Sequence, residues 1–267
     1  MLKDRILTAL VLAVVIFGVV LLLPPWASVV LLVVVVLGGA WEWSAFLSLD
    51  SRRSRVIYVI GIAALLPLAW WATRDAASLR LVLVIASLWW LSALAWLMFR
   101  PQSVTPTSAG IAGVLALVPA WVSLAELRLA GPAGPALLLY AVILIVAADT
   151  GAYFAGRTVG RLRLAPRVSP GKTWEGAIGG VCLALLIGLW GAAWFGVAAG
   201  PMLVVSLAAA SFSIVGDLTE SMLKRHARLK DSGSLFPGHG GLLDRIDSVT
   251  AGAPVLLLGL MQLGVTG

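Results

Sequence analysis

The chain has 267 residues, 61% of them hydrophobic and only 12% charged, with a mean hydropathy of +1.03 and a formal net charge of +7. That composition excludes a soluble domain with a charged surface and indicates an integral membrane protein. It also excludes a membrane β-barrel, whose strands alternate in polarity, because "LTALVLAVVIFGVVLLL" and "LLVVVVLGGAW" are apolar on every face. The expected fold class is all-α and polytopic.

A bilayer core of roughly 30 Å is crossed by about 20 apolar residues of helix. Nine spans are predicted, at about 5–23, 26–48, 56–73, 79–99, 109–128, 136–155, 175–197, 202–221 and 248–265. The first is read as a retained span: its apolar run is too long for a secretion-signal core, and "LLPPWAS" offers no small-residue cleavage site. Pro24, Pro25, Gly38 and Gly39 could kink the second and third spans rather than divide them. Trp26, Trp70, Trp71, Trp96 and Trp174 fall near span ends, as interfacial anchors do, whereas Trp89 and Trp90 fall mid-span as packing or lipid-facing residues. Cys182 has no second soft ligand or disulfide partner and is expected to serve in packing. No repeat or soluble linker interrupts the chain, so it reads as one membrane domain. Residues 1–135 would be scaffold or dimerisation spans, and 136–267 would carry the chemistry.

Lysine and arginine gather in cytoplasmic segments. With the N-terminus inside and nine crossings, all of the nineteen basic residues except Arg74, Arg80 and Arg128 fall on the inner side. The positive charge is therefore an orientation signal and an attraction to anionic headgroups. No basic stripe lies on a soluble module, so nucleic-acid binding is not expected.

Seven of the twelve acids, Asp149, Glu175, Asp217, Glu220, Asp231, Asp244 and Asp247, lie between positions 149 and 247, near the predicted inner ends of spans 6, 7 and 8 or in the loop before span 9. Acids at membrane depth cost several kcal/mol unless paired or metal-bound. Asp217 and Glu220 are three apart on a helix, and Asp244 and Asp247 repeat that spacing just before span 9. Hard oxygen ligands with only two histidines in the chain favour Mg²⁺ or Mn²⁺ over zinc. The plainer alternative is pairing of these acids with neighbours such as Arg225 and Arg245. Glu42, in "AWEWSAF", suits an interhelical hydrogen bond as well as a site role, and Glu126 has no functional case.

Residue types that bind phosphate surround the acids. "SPGKTWEG" places Ser169, Lys172 and Thr173 just before a helix, where free N–H groups and the positive dipole end favour an anion. It is not read as a P-loop, because Pro166 stands where that motif needs glycine and no strand is predicted before it. "SMLKRHARLKD" adds Lys224, Arg225, Arg228 and Lys230, with Asp231 closing the run. In "GSLFPGHGG", Gly233, Gly238, Gly240 and Gly241 would allow turns and close approach to a ligand, in a loop closing over a site. His239 is expected to orient by hydrogen bonding, since an attacking phosphate monoester is already largely ionised and needs no base. His226 reads as loop surface.

The segment Ser221 to Asp247, "SMLKRHARLKDSGSLFPGHGGLLDRID", resembles the signature of the phosphatidate cytidylyltransferase (CDP-diacylglycerol synthase) family, and "ADTGAYFAGR", "SPGKTWEG" and "GDLTES" resemble its other blocks. The resemblance covers roughly the C-terminal half. It implies that CTP and phosphatidate give CDP-diacylglycerol and pyrophosphate with a divalent metal, in a homodimer of a bacterial cytoplasmic membrane with its site facing the cytoplasm. Asp217 and Asp244 would bind metal, with Asp247, Asp149 and Glu220 in support and room for a second cation. Lys172, Lys224, Arg225 and Arg245 would hold the triphosphate and the lipid phosphate. Ser169, Thr173, Lys230, Asp231, Gly238, His239, Gly240 and Gly241 would line the substrates. The rival readings are a CTP-dependent lipid kinase of the polyprenol type and a cation-coupled transporter using intramembrane acids.

Overall fold

The computed structural model describes residues 2–49, 51–233, 235 and 240–266, with the backbone alone for 2–10 and 12. Among these, nine helices follow one another: α1 (Leu2–Leu22), α2 (Pro25–Trp43), α3 (Arg52–Ala72), α4 (Ala76–Phe99), α5 (Pro106–Leu129), α6 (Gly134–Thr158), α7 (Trp174–Phe195), α8 (Ala199–His226) and α9 (Leu243–Gln262). Helices α2 to α8 are long and apolar enough to cross a bilayer, and the chain forms the all-α polytopic membrane fold expected of it.

Local chemistry sets many of the helix starts. Ser51 caps α3 by accepting from Ser54 N at 3.0 Å, and Asp75 caps α4 through Ala77 N and Ser78 N. Thr105 and Ser108 form a reciprocal capping box ahead of Pro106, which costs nothing at a first-turn position that needs no N–H partner. Gly196, at φ 66°, ends α7 in the left-handed conformation that a side chain resists.

Two long-range polar contacts fix how the helices alternate. The buried Arg128, at the C-terminal end of α5, donates to Ser28 Oγ at 3.0 Å and to the carbonyls of Val20 and Leu23, joining it to the turn between α1 and α2. At the other end of α2, Glu42 accepts from the backbone of Leu242 and Leu243 at the start of α9. Both contacts agree with helices that run up and down in turn.

Helix α9 is the centre of the bundle, touching α2, α4, α5, α6 and α8, and every residue from Thr250 to Leu257 is buried. Helices α6 and α7 pack closely, since a Cβ on Gly180 would stand 2.5 Å from Ala148 O. Large apolar side chains such as Trp71, Trp174 and Trp194 point outward, as lipid requires. Cys182 is also exposed. Helix α7 buries Gly176, Gly180, Ala184 and Gly188, so position 182 falls on the opposite, lipid-facing side rather than in the packing expected of it.

Three features depart from the expected layout. Helix α8 continues to His226 and, at 28 residues, is about 42 Å long by helix rise, so its C-terminal turns project past the bilayer core. Helix α9 begins at Leu243, so Asp244 and Asp247 belong to its first turns and not to a preceding loop. Strands β1 (Arg163–Ala165) and β2 (Ser169–Thr173) form an antiparallel hairpin between α6 and α7. A strand therefore does precede "GKT", and that part of the case against a P-loop fails, while Pro166 still excludes the motif.

Candidate active site

One end of the bundle is polar. The C-terminal half of α6, the hairpin, the start of α7, the C-terminal turns of α8 and the start of α9 enclose a cavity of about 700 Å³, within the size range of small-molecule sites. Helix α8 contributes Asp217 and Lys224, α9 contributes Asp244, Arg245, Asp247 and Ser248, α6 contributes Asp149, Tyr153 and Arg157, and β2 contributes Lys172 and Thr173. Lys230 and Asp231, just after α8, complete the lining. Sequence-predicted residues nearly 100 positions apart are thus brought to one space.

The charges in this space are organised as pairs. Lys172 Nζ is ion-paired with Asp217 Oδ2 across the mouth of the cavity, both side chains a little over a quarter exposed. Deeper in, Lys224 Nζ lies 2.5 Å from Asp244 Oδ1 and 3.0 Å from Glu220 Oε1. Asp244 Oδ2 accepts from Ser232 N at 2.9 Å, Ser232 Oγ at 3.0 Å and Gly241 N at 2.8 Å. Asp149 Oδ1 accepts from Ser248 Oγ at 3.0 Å, and Asp149, Asp217 and Asp247 lie close enough to repel one another. Five basic side chains (Arg157, Lys172, Lys224, Lys230, Arg245) face five acidic ones (Asp149, Asp217, Asp231, Asp244, Asp247), so the lining is close to neutral.

Several expected residues take other roles or positions. Glu220 does not line the cavity. With its side chain 1% exposed, it is the buried counter-ion of Lys224, set apart from the cavity that Asp217 lines. The i, i+3 spacing put the two acids on adjoining faces, one toward the cavity and one toward the core. Arg225 points away, its Nε 3.4 Å from Val168 O, and stabilises the hairpin turn. Ser169 sits at the turn end of the hairpin opposite Ala165, outside the lining, because β2 carries only its C-terminal residues to the cavity. Thr173 reaches the cavity, but its hydroxyl caps α7 by accepting from Gly176 N at 3.1 Å. Gly238 and His239 lie outside the described residues.

Three of the glycines expected to allow close approach, Gly233, Gly240 and Gly241, lie against carboxylates of the protein itself. A Cβ on Gly233 or Gly241 would overlap the Glu42 carboxylate, and Gly240, at φ 80°, lies against Asp244. Gly241→Ala is therefore expected to lower stability by about 1–3 kcal/mol through overpacking of a buried polar contact. The check is the midpoint of thermal inactivation in detergent, and a midpoint equal to wild type would contradict that packing.

Sequence reasoning missed Ser232, Ser248 and the cavity-facing pair of Arg157 and Tyr153, whose groups are 2.7 Å apart. It left Glu42 undecided. Ser232 and Ser248 carry no signal beyond standing near acids. Glu42, a lone acid in an apolar run, did carry one.

Among the described residues no three acids or histidines are close enough to form a ready-made metal cage. Mg²⁺ does not need one, because it commonly takes one or two carboxylates and completes its shell with water and substrate phosphate. The oxygens suited to it, Asp217 Oδ2 and Asp244 Oδ1, each carry a lysine ammonium. Cationic groups thus stand where the acids call for positive charge, and the donor set fits a hard divalent ion.

The chain matches the model of the cytidylyltransferase family over residues 3–262. It is 41% identical, over 96% of its length and 95% of the other protein's, to a phosphatidate cytidylyltransferase of Pseudomonas aeruginosa. A phosphatidate cytidylyltransferase of Haemophilus influenzae is 37% identical over 95% of this chain and 96% of its own. One from Bacillus subtilis is 41% identical over 49% of each chain.

Proposed function

The chain belongs to the cytidylyltransferase family, and from that premise we propose that it transfers CMP from CTP to phosphatidate, giving CDP-diacylglycerol and pyrophosphate. The observation that carries this reading is the paired-charge cavity at one end of an otherwise apolar bundle. It offers a water-soluble triphosphate and a lipid headgroup a common polar space at the membrane edge.

A phosphatidate oxygen attacks the α-phosphorus of CTP in line with the departing pyrophosphate, so one P–O bond forms as another breaks. This needs positioning and charge neutralisation more than covalent help. Lys172 and Lys224 already hold ammonium groups beside carboxylates that a cation would occupy, and they are placed to turn toward phosphate oxygens instead. Glu220 keeps Lys224 at the cavity wall when Asp244 is otherwise engaged. Arg245 and Arg157 extend the cationic surface toward the lipid phosphate. Bound CTP and phosphatidate bring about six negative charges into a nearly neutral lining, which favours one or two divalent ions. Mg²⁺ or Mn²⁺ held by Asp217 and Asp244, with Asp149 and Asp247 beside them, would neutralise phosphate oxygens.

Basic residues gather at the cavity end of the bundle, which favours a cytoplasmic orientation for that end, where CTP is found. The bacterial relatives favour the inner membrane, and a homodimer remains part of the family expectation.

The test uses purified protein, phosphatidate, Mg²⁺ and CTP labelled on either the α- or the γ-phosphate. Label from the α position entering lipid supports the reading. Label from the γ position entering lipid, with CDP released, would make the protein a lipid kinase. Ion-driven solute uptake by liposomes lacking CTP would make it a transporter.

A further inference from the structure

We propose that Glu42, on α2 in the N-terminal half, is a positioning residue for CMP transfer, clamping the first turn of α9 and holding Asp244 in place through Ser232. This deepens the transferase reading and rests on it.

Helix α9 has no side-chain cap of its own, since its first residue is preceded by Leu242. Its free amides are met from elsewhere: Leu242 N donates to Glu42 Oε1 at 3.0 Å and Leu243 N to Glu42 Oε2 at 2.7 Å. Asp244 N donates to Ser232 Oγ at 3.2 Å. A carboxylate at a helix N-terminus satisfies exposed N–H groups and the positive dipole end together. Glu42 is 7% exposed and enclosed by Gly233 and Gly241, so the fold is built around its charge.

The link to the site runs through one hydroxyl. Ser232 Oγ lies 2.8 Å from Glu42 Oε2 and 3.0 Å from Asp244 Oδ2. A serine has a single proton to donate, so the two carboxylates share it and their positions are tied. Asp244 shares the first turns of α9 with Arg245 and Asp247, and all three face the cavity. Rotation or fraying of that turn would therefore move an acid, a base and a second acid at once. Glu42 is not itself part of the cavity lining, and its effect on the reaction passes through the turn it holds.

Glu42→Gln tests this with little change of shape, because it replaces one acceptor oxygen with an NH₂ that cannot receive an amide proton. Three variants, Glu42→Gln, Ser232→Ala and the double, are compared with wild type, and Glu126→Gln serves as a control acid of the same half. The expected result is a kcat lower by about tenfold or more in Glu42→Gln, as small misplacements of reacting groups produce. KM for CTP should move by less than about threefold, the pattern of a group that acts on the transition state. Without CTP, phosphatidate or divalent ion, the amides of Leu242 and Leu243 should exchange about tenfold faster, reporting local opening of the turn. The double variant should fall no more than about twofold below the lower single, as coupled neighbours do.

A Glu42→Gln enzyme with wild-type kcat overturns the proposal, whether or not exchange changes. So does lost activity with unchanged exchange at 242–243, which would place Glu42 in another role. If Glu42→Gln does not fold, full activity in Ser232→Ala decides against it. If wild type itself places no α-label in lipid, the transferase reading has failed, and the exchange result still stands on its own.

Discussion

Lys224→Met is expected to destabilise the protein by about 3–5 kcal/mol, as removal of one partner from a buried ion pair does. Its ammonium is the counter-charge to Glu220, whose side chain is 1% exposed and whose Oε2 has no hydrogen-bond partner among the described residues. Removing the lysine strands that carboxylate in the core. Asp244 loses the same partner but keeps its three hydrogen bonds to Ser232 and Gly241. Adding Glu220→Gln should therefore restore most of the stability, because position 220 then buries no charge and Asp244 is still held by its hydrogen bonds. It should not restore CMP transfer, because the cation facing the phosphates is still absent. Thermal inactivation midpoints and transfer rates on the single and double variants separate these effects. A double variant that regains activity would reduce Lys224 to a structural residue.

Asp217→Asn is expected to lower kcat by about 10²–10³-fold, the usual loss when one electrostatic stabiliser of phosphate chemistry is removed. Asp217 lies at the cavity mouth with 28% of its side chain exposed, paired with Lys172, so the fold should survive unchanged. The Mg²⁺ concentration giving half-maximal rate should rise in parallel. Asp244→Asn is a less clean experiment, because the same carboxylate accepts the hydrogen bonds that shape the turn from Ser232 to Gly241. An inactive Asp244→Asn would confound a lost ligand with a loosened turn. An Asp217→Asn enzyme within about threefold of wild type would remove Asp217 from the reaction centre.

The helices were legible because lipid demands long apolar runs, and that demand leaves its mark on every residue of a span. Their polar ends were not. Helix α8 runs on through Lys224 and Arg225, and α9 starts among Asp244 and Arg245, where charge suggested loop. The start of α9 carries no local capping signal because its cap, Glu42, comes from 200 positions earlier. The hairpin did leave a trace in the alternating "RLRL" of 161–164, which Pro166 and Pro170 obscured. At the site, residue types and spacing pointed to acids and bases that the fold brings to one cavity, but not to their partners. Asp217 and Glu220 share a spacing and face different surroundings, and only packing assigns one to the cavity and the other to Lys224. The resemblance ended at the C-terminal half, although an acid of the N-terminal half holds the signature turn.

Direct transfer between two substrates held in one cavity is tested most directly by the stereochemical course at the α-phosphorus. CTP carrying sulfur on that phosphorus, as a single diastereomer, is turned over with phosphatidate and the configuration of the lipid product determined. Attack by phosphatidate itself predicts inversion. Retention would contradict it, since two successive displacements require a cytidylyl group held covalently by the protein.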